Sequence, residues 1–370
     1  MKEGTRKFPV SVFVLLMAFS VVIAPFLVIE KVNADNGGSW TTLTPLPTPI
    51  SVYRNIVALT GKIYYIDANM TLCYDPKTNN WTQLTPPPIP KAGEVAACQN
   101  KIYVIGGSPE FPTQVYDPAT DTWENRTSFH GTSGKVHTNV VNGKIYIMGG
   151  NYMVGLGTYF SVSSNYVYDP LTDNWTRLAD IPVGVGGYAS AVIDKKIYII
   201  SGGHGFTYQW GWKPIDLVQI FDTATNQWTN GTSIPTPVYD AKACVITEPF
   251  GVKQIHVIGG ALGYFWYDQG FGGIDLHQVY DLETDTWTNA TVMPTPRKGM
   301  GLTVVYNEIY VIGGAYNGTV VLTNEKYNPS DPSGYIPEFS SWVILPLFSV
   351  STLALLLAKK CIKFGASKNE

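Results

Sequence analysis

One pattern, written six times between residues 62 and 328, leaves few folds open to this chain. Its fullest copy is KIYVIGGSPEFPTQVYDPATDTW at 101–123. A short apolar run ends in Gly106-Gly107, residues that tolerate unusual backbone angles. A second strand follows through Tyr116, then a tight turn at Asp117-Pro118-Ala119-Thr120, and Trp123 opens a further strand. The pattern returns as KIYIMGG with YDPLTDNW (144–150, 168–175), KIYIISGG with FDTATNQW (196–203, 221–228) and QIHVIGG with YDLETDTW (254–260, 280–287). An early copy, KIYYIDA with YDPKTNNW (62–68, 74–81), lacks the glycine pair. The last, EIYVIGG at 308–314, reaches Tyr327-Asn328-Pro329 without a tryptophan. An apolar strand precedes each KIY segment, as at Asn139-Val140-Val141, so each unit holds four strands. One such unit cannot bury its apolar face alone, whereas a stack of them can. The chain is all-β.

The double glycine after an apolar strand, followed by tyrosine and then tryptophan, resembles the kelch repeat. The resemblance spans nearly all of 40–329 and implies a six-bladed β-propeller, one four-stranded blade per repeat. Trp40-Thr41-Thr42-Leu43 matches the fourth strand of a blade, and the sixth copy lacks that strand. The two fragments complement each other, so the N-terminal strand is expected to close the last blade and remove two sheet edges.

The remaining segments place the propeller outside a membrane. Lys2, Arg6 and Lys7 precede an apolar run from Phe8 to Ile29, and Val32-Asn33-Ala34 offers a cleavage site, so 1–34 reads as a signal peptide. An uncleaved signal anchor is the alternative. The propeller occupies 35–335, a linker 336–341, a transmembrane helix 342–358 and a basic cytoplasmic tail 359–370. Pro337-Glu338-Phe339, the apolar span and the lysines after it resemble a PEF-type archaeal sorting signal. Net charge is −3 with 14% charged residues, which excludes a nucleic-acid footprint. Four cysteines make no disulfide framework. Cys73, Cys98 and Cys244 fall in predicted strands and read as buried thiols, with a Cys73–Cys98 bridge as the alternative. Asn69, Asn80, Asn125, Asn174, Asn230, Asn289 and Asn317 open Asn-X-Thr glycosylation acceptors, five of them beside the outer tryptophan strands.

Function is expected at one mouth of the ring. Strand two-to-three loops open there, and their lengths differ: from the second glycine to the Tyr or Phe of strand three is 9 residues in the second copy, 18 in the third and fourth, and 20 in the fifth. The insertions at 151–164, 204–216 and 261–276 hold twelve aromatics in 43 residues, against 13% for the chain. Exposed loops do not accumulate aromatic rings without something to cover them. Tyr152, Tyr159, Tyr208, Trp210, Trp212, Tyr264, Trp266 and Tyr267 are the candidate platform for a glycan or protein ligand, with Asp216, Asp268 and Asp275 for hydroxyls. The competing reading is that the insertions pack on one another as a lid.

Arg54 and Arg297 stand in blade-to-blade links, where the kelch resemblance implies contacts to anionic groups of ligands. The favoured function is a membrane-anchored, cell-surface binding or adhesion module, with no cofactor and no metal. The alternative is an exported carbohydrate-active enzyme resembling kelch sialic acid epimerases, with Arg54, Arg297 and Glu94 near the axis. A copper-oxidase likeness is weaker, because no cysteine lies in the insertions; among His130, His137, His204, His256 and His277, only His204 suits a ligand role. His256 replaces a repeat tyrosine and belongs in the core.

Overall fold

The computed structural model describes residues 38–47, 55–91, 93–106, 110–131, 134–154, 158–207, 211–248, 251–263 and 272–329. The signal peptide, the linker, the transmembrane segment and the basic tail lie outside them. Among the described residues no helix is long and apolar enough to cross a membrane.

Six four-stranded antiparallel sheets form the propeller. In the second blade the order from the axis outward is Glu94–Cys98, Lys101–Ile105, Thr113–Asp117 and Thr122–Arg126. The sixth blade takes its outer strand from the other end of the chain. Ser39–Leu43 pairs antiparallel with Asn324–Asn328, with Trp40 opposite Tyr327. The N-terminal strand thus closes the ring as the sequence implied.

The repeat letters now have local causes. The aspartate opening each strand three-to-four turn accepts a backbone N–H two residues on, as from Lys77 to Asp75 and from Ala119 to Asp117, both 2.9 Å. The residue two before each tryptophan turns left-handed (Asn79, Asp121, Asp173, Asn226 and Asp285), a conformation that Asn and Asp tolerate. Asn79, Asp121 and Asp173 also accept the tyrosine hydroxyl of their own blade, at 2.7, 2.5 and 2.6 Å. The glycine pair serves the opposite end. Gly259 and Gly260 have φ of 64° and 96°, and a Cβ on Gly259 would stand 2.6 Å from the Arg297 carbonyl oxygen. In the fourth blade this left-handed pair is Ser201-Gly202, one residue ahead of the written double glycine.

The core lies between blades. One apolar cluster joins Tyr198 and Ile200 of the fourth blade to Ile255 and Val257 of the fifth. Another joins Ile63 and Tyr74 of the first to Tyr310 and Ile312 of the sixth. Each junction also carries one indole bond. Trp81, Trp123, Trp175, Trp228, Trp287 and Trp40 donate Nε1–H to the carbonyls of Thr44, Thr85, Thr127, Ala179, Thr232 and Thr291, each just past the preceding blade's outer strand. A bond of this kind contributes about 1 kcal/mol, and six of them encircle the ring. Cys73, Cys98 and Cys244 are buried free thiols, so the bridge between the first two does not form. His256 is 2% exposed, in the core as expected.

Candidate mouth and axial site

Strand two-to-three connections and blade-to-blade links meet at one end of the ring. The third insertion folds as a hairpin of Asn151–Val154 and Thr158–Ser161, the fourth as Gly203–Thr207 and Gly211–Pro214. The Ser161 hydroxyl donates to the Gly203 carbonyl at 3.1 Å and fastens one hairpin to the next. In the third insertion Tyr152 sits opposite Phe160, and both rings are 57% exposed. Cross-strand partners share a face, so the two form one solvent-facing aromatic patch.

Among the described residues nine large apolar side chains are exposed. Six of them, Phe111, Tyr152, Phe160, Leu262, Tyr316 and Val320, belong to strand two-to-three connections. Exposed apolar surface is therefore concentrated at this mouth. Tyr159 pairs with Met153 and Trp212 with Phe206 in the hairpin registers. Arg54, Tyr208, Trp210, Tyr264, Trp266 and Tyr267 lie outside the described residues, as does Asp268. Phe160 was missed because period-two alternation separates the faces of neighbours in TYFS; the partnership with Tyr152 depends on hairpin register.

Arg297 departs from its expected place. It is fully buried, and its Nη2 donates to Glu325 Oε2 at 2.7 Å and to the Val311 carbonyl at 3.1 Å, while Nη1 meets the Thr323 hydroxyl. Elsewhere a glutamine does Glu325's work. Gln114, Gln219 and Gln278 each clamp the preceding link by a paired amide contact, as in Ile89 N–H to Gln114 Oε1 (2.9 Å) and Gln114 Nε2 to the Ile89 carbonyl (2.8 Å). A carboxylate cannot donate, so the sixth blade supplies a guanidinium from the link instead. Arg297 is thereby committed to the fold.

Lys91, in the equivalent region of the second blade, is likewise buried, donates to the Pro112 carbonyl, and is pushed down to about 8 by burial. His204 is exposed, with Nδ1 2.7 Å from the Gly184 carbonyl. Asn69, Asn80, Asn125, Asn174, Asn230, Asn289 and Asn317 are all exposed.

At the floor of the mouth the innermost strands surround an axial cavity of about 100 Å³, lined by Asn55, Glu94, His137, Thr138, Ser190 and Lys242 among others. Lys242 Nζ donates to His137 Nδ1 at 2.5 Å, and Glu94 Oε2 stands 3.8 Å from the same nitrogen. Lys135 and Asp240 pair beside them at 2.6 Å. Burial, followed by Lys242 and Lys135, holds His137 well below its ordinary value. Burial also leaves the Glu94 carboxyl raised, although Lys242 and Lys135 oppose it; its side chain keeps 27% of its surface exposed. Lys242 and Glu94 approach the same ring nitrogen, so His137 Nδ1 accepts from Lys242, and a carboxyl, a neutral imidazole and an ammonium stand together at the cavity as candidate acids and bases. Sequence reasoning placed Glu94 near the axis but set His137 aside and passed over Lys242, because three separate blades contribute them. Among the described residues no three His, Cys, Asp or Glu side chains gather to hold a metal ion.

Six four-stranded blades closed into one ring define a β-propeller. The family model described as the KLHDC2/KLHL20/DRC7 Kelch-repeats domain matches residues 51–260, and the chain belongs to the kelch-repeat family. It is similar to Kelch-like protein 35 of Mus musculus, 29% identical over 65% of this chain and 38% of the relative. Kelch-like protein 23 of Homo sapiens is 28% identical over 78% of this chain and 50% of the relative. Kelch-like protein terF of Aspergillus terreus is 26% identical over 60% of this chain and 61% of the relative. The chain thus spans less than two thirds of these relatives. Among solved structures, that of YjhT superposes with a TM-score of 0.62 at 19% identity, covering 76% of this chain and 95% of YjhT, a likeness of fold.

Proposed function

We propose that the protein is a cell-surface binding module whose ligand, a glycan or an extracellular protein, seats on the mouth built by the strand two-to-three insertions. The exposed Tyr152–Phe160 pair carries this reading, because solvent-facing aromatic partners at a concave mouth are a ready platform for sugar faces or apolar side chains. None of the three long insertions contains an Asn-X-Thr acceptor, so no attached sugar need block them, while Asn69 and Asn317 fall in the shorter strand two-to-three connections of the first and sixth blades. Tethering by 342–358 would hold the mouth outside the cell, with lysines only on the cytoplasmic flank.

The test is binding of the full chain to glycan and surface-protein arrays, with Tyr152→Ser and Phe160→Ser variants. Both should lose binding at least tenfold while melting within about 2 °C of wild type, since exposed hairpin rings contribute little to the blades. Binding that survives both changes would refute this mouth as the site.

A second reading is favoured by the Glu94–His137–Lys242 cluster, which gathers a carboxyl, an imidazole and an ammonium at the axial cavity and suits acid–base chemistry on a sugar reaching the axis. Sialic acid mutarotation, followed by NMR, tests it. Acceleration that vanishes in His137→Gln would establish the enzyme, and a rate equal to buffer would dismiss this reading.

A further inference from the structure

Two histidines occupy the junction where the N-terminal strand locks the ring. At four junctions the carbonyl that receives the indole also receives a side-chain donor from its own blade. The donors are Thr113 to Thr127 (2.8 Å), Asn165 to Ala179 (3.1 Å), Asn324 to Thr44 (3.2 Å) and His277 Nδ1 to Thr291 (3.1 Å). The first and fourth blades have Thr71 and Val218 at this position. His277 is therefore the one titratable residue among the six, and its carbonyl is the one that holds Trp40. Its partner His256 stands where the other blades have Tyr64, Tyr103, Tyr146, Tyr198 and Tyr310.

The hydrogen bonds dictate the tautomers. A carbonyl only accepts, so His277 Nδ1 carries hydrogen and, in the neutral ring, its Nε2 is a lone pair. His256 Nδ1 lies 2.8 Å from that Nε2 and must therefore donate to it. This leaves His256 Nε2 as a bare lone pair, buried and without a partner among the described residues. Both rings pack on Tyr327 of the sixth blade, at 4.7 Å for His277 and 6.0 Å for His256, and His277 meets the Trp40 edge at 6.0 Å. The titratable groups facing the pair are the Cys244 thiol, across the sheet from His256, and the Tyr327 hydroxyl. Burial raises both, so each is neutral. Glu248, whose charge is felt at Tyr327, is itself raised by burial.

We propose that His256 and His277 form an acid-sensitive latch on the ring, so that protonation of the pair releases the N-terminal strand Ser39–Leu43 from the sixth blade. A proton on His277 Nε2 turns an acceptor into a second donor facing His256 Nδ1–H. A proton on His256 Nε2 buries a charge with no acceptor. The first event costs the junction its bond, and either costs its neutrality. The closed state thus binds protons less readily than the open one, and burial holds His277 at about 4, below its ordinary 6.5. The latch is fully closed above pH ~6.5 and loosens as pH falls, until the folded value near 4 is passed. From His277 alone, opening should rise about 30-fold between pH 7.5 and pH 5. The inference rests on the fold and not on the identity of any ligand.

Amide hydrogen exchange of the full chain at those two pH values tests it, corrected for intrinsic exchange. Opening of Ser39–Leu43 and Asn324–Asn328 should increase about 30-fold while Lys144–Met148 in the third blade changes little. In a variant combining His256→Tyr and His277→Asn, the residues the sixth blade uses at these positions, the increase should fall below about threefold. Seam opening that is independent of pH, an equal increase in the third blade, or an unchanged increase in the variant would each overturn the latch. Imidazole nitrogen NMR of the wild-type chain gives a check that survives misfolding of the variant. Nδ1–H on both rings at pH 7 supports the latch, and Nε2–H on either defeats it.

Discussion

Replacing Arg297 by methionine should unsettle the sixth blade, and a second substitution should largely restore it. Arg297 and Glu325 are 0% and 2% exposed and meet at 2.7 Å. Arg297→Met keeps most of the aliphatic stem but strands the Glu325 carboxylate in the core. Breaking a buried pair from one side costs about 3–5 kcal/mol. For a domain of this size each kcal/mol moves the melting temperature by ~2 °C, so the midpoint should drop by roughly 6–10 °C. Glu325→Gln alone leaves the guanidinium without its counter-charge and should cost a similar amount. The double variant places a glutamine where Gln114, Gln219 and Gln278 already clamp their links, and an amide can both donate to and accept from Thr295. Its net loss should be about 1–2 kcal/mol, well short of the sum of the single losses. Urea unfolding of the four proteins at pH 7 measures the cycle. Additive losses would refute the argument, as they would show that Arg297 acts through packing and not through Glu325.

Three further outcomes follow from the junctions. Deleting 35–43 removes the closing strand; Trp40 is half-buried, so its share should lie near the lower end of the ~3–5 kcal/mol typical of a lost core tryptophan. A truncated chain that melts with the intact one would refute the closure. Trp123→Phe keeps a ring but loses the N–H to Thr85 (2.9 Å), and urea unfolding should show a loss of about 1 kcal/mol, with no loss counting against the bond. The Tyr116 hydroxyl first, and then Thr85, hold the Asp121 carboxyl below its ordinary range. Its contribution is therefore complete above the unfolded carboxylate value near pH ~4 and is lost as pH falls below it. Asp121→Asn should flatten stability between pH 3 and 5, and an unchanged slope there would assign that acid loss to other groups.

Blade number, strand order and the closing strand were legible in the sequence because each rests on local signals. Strand alternation, the Asp-initiated turn and the glycine pair act within a few residues, and six repetitions raise them above noise. Trp40-Thr41-Thr42-Leu43 could be matched to the missing outer strand for the same reason. What the tertiary structure alone decided lies where different blades meet. Arg297 read as a ligand contact until Glu325 was seen to occupy it, 28 residues away in the chain. His137 and Lys242 are 105 residues apart and touch only because the ring brings every innermost strand to one axis. The choice of Phe160 over Tyr159 as partner of Tyr152 turns on a single step of hairpin register. Local periodicity specifies each blade, but the neighbours of an axial or junction side chain are set by closure of the whole ring, and no spacing in the sequence encodes that distance.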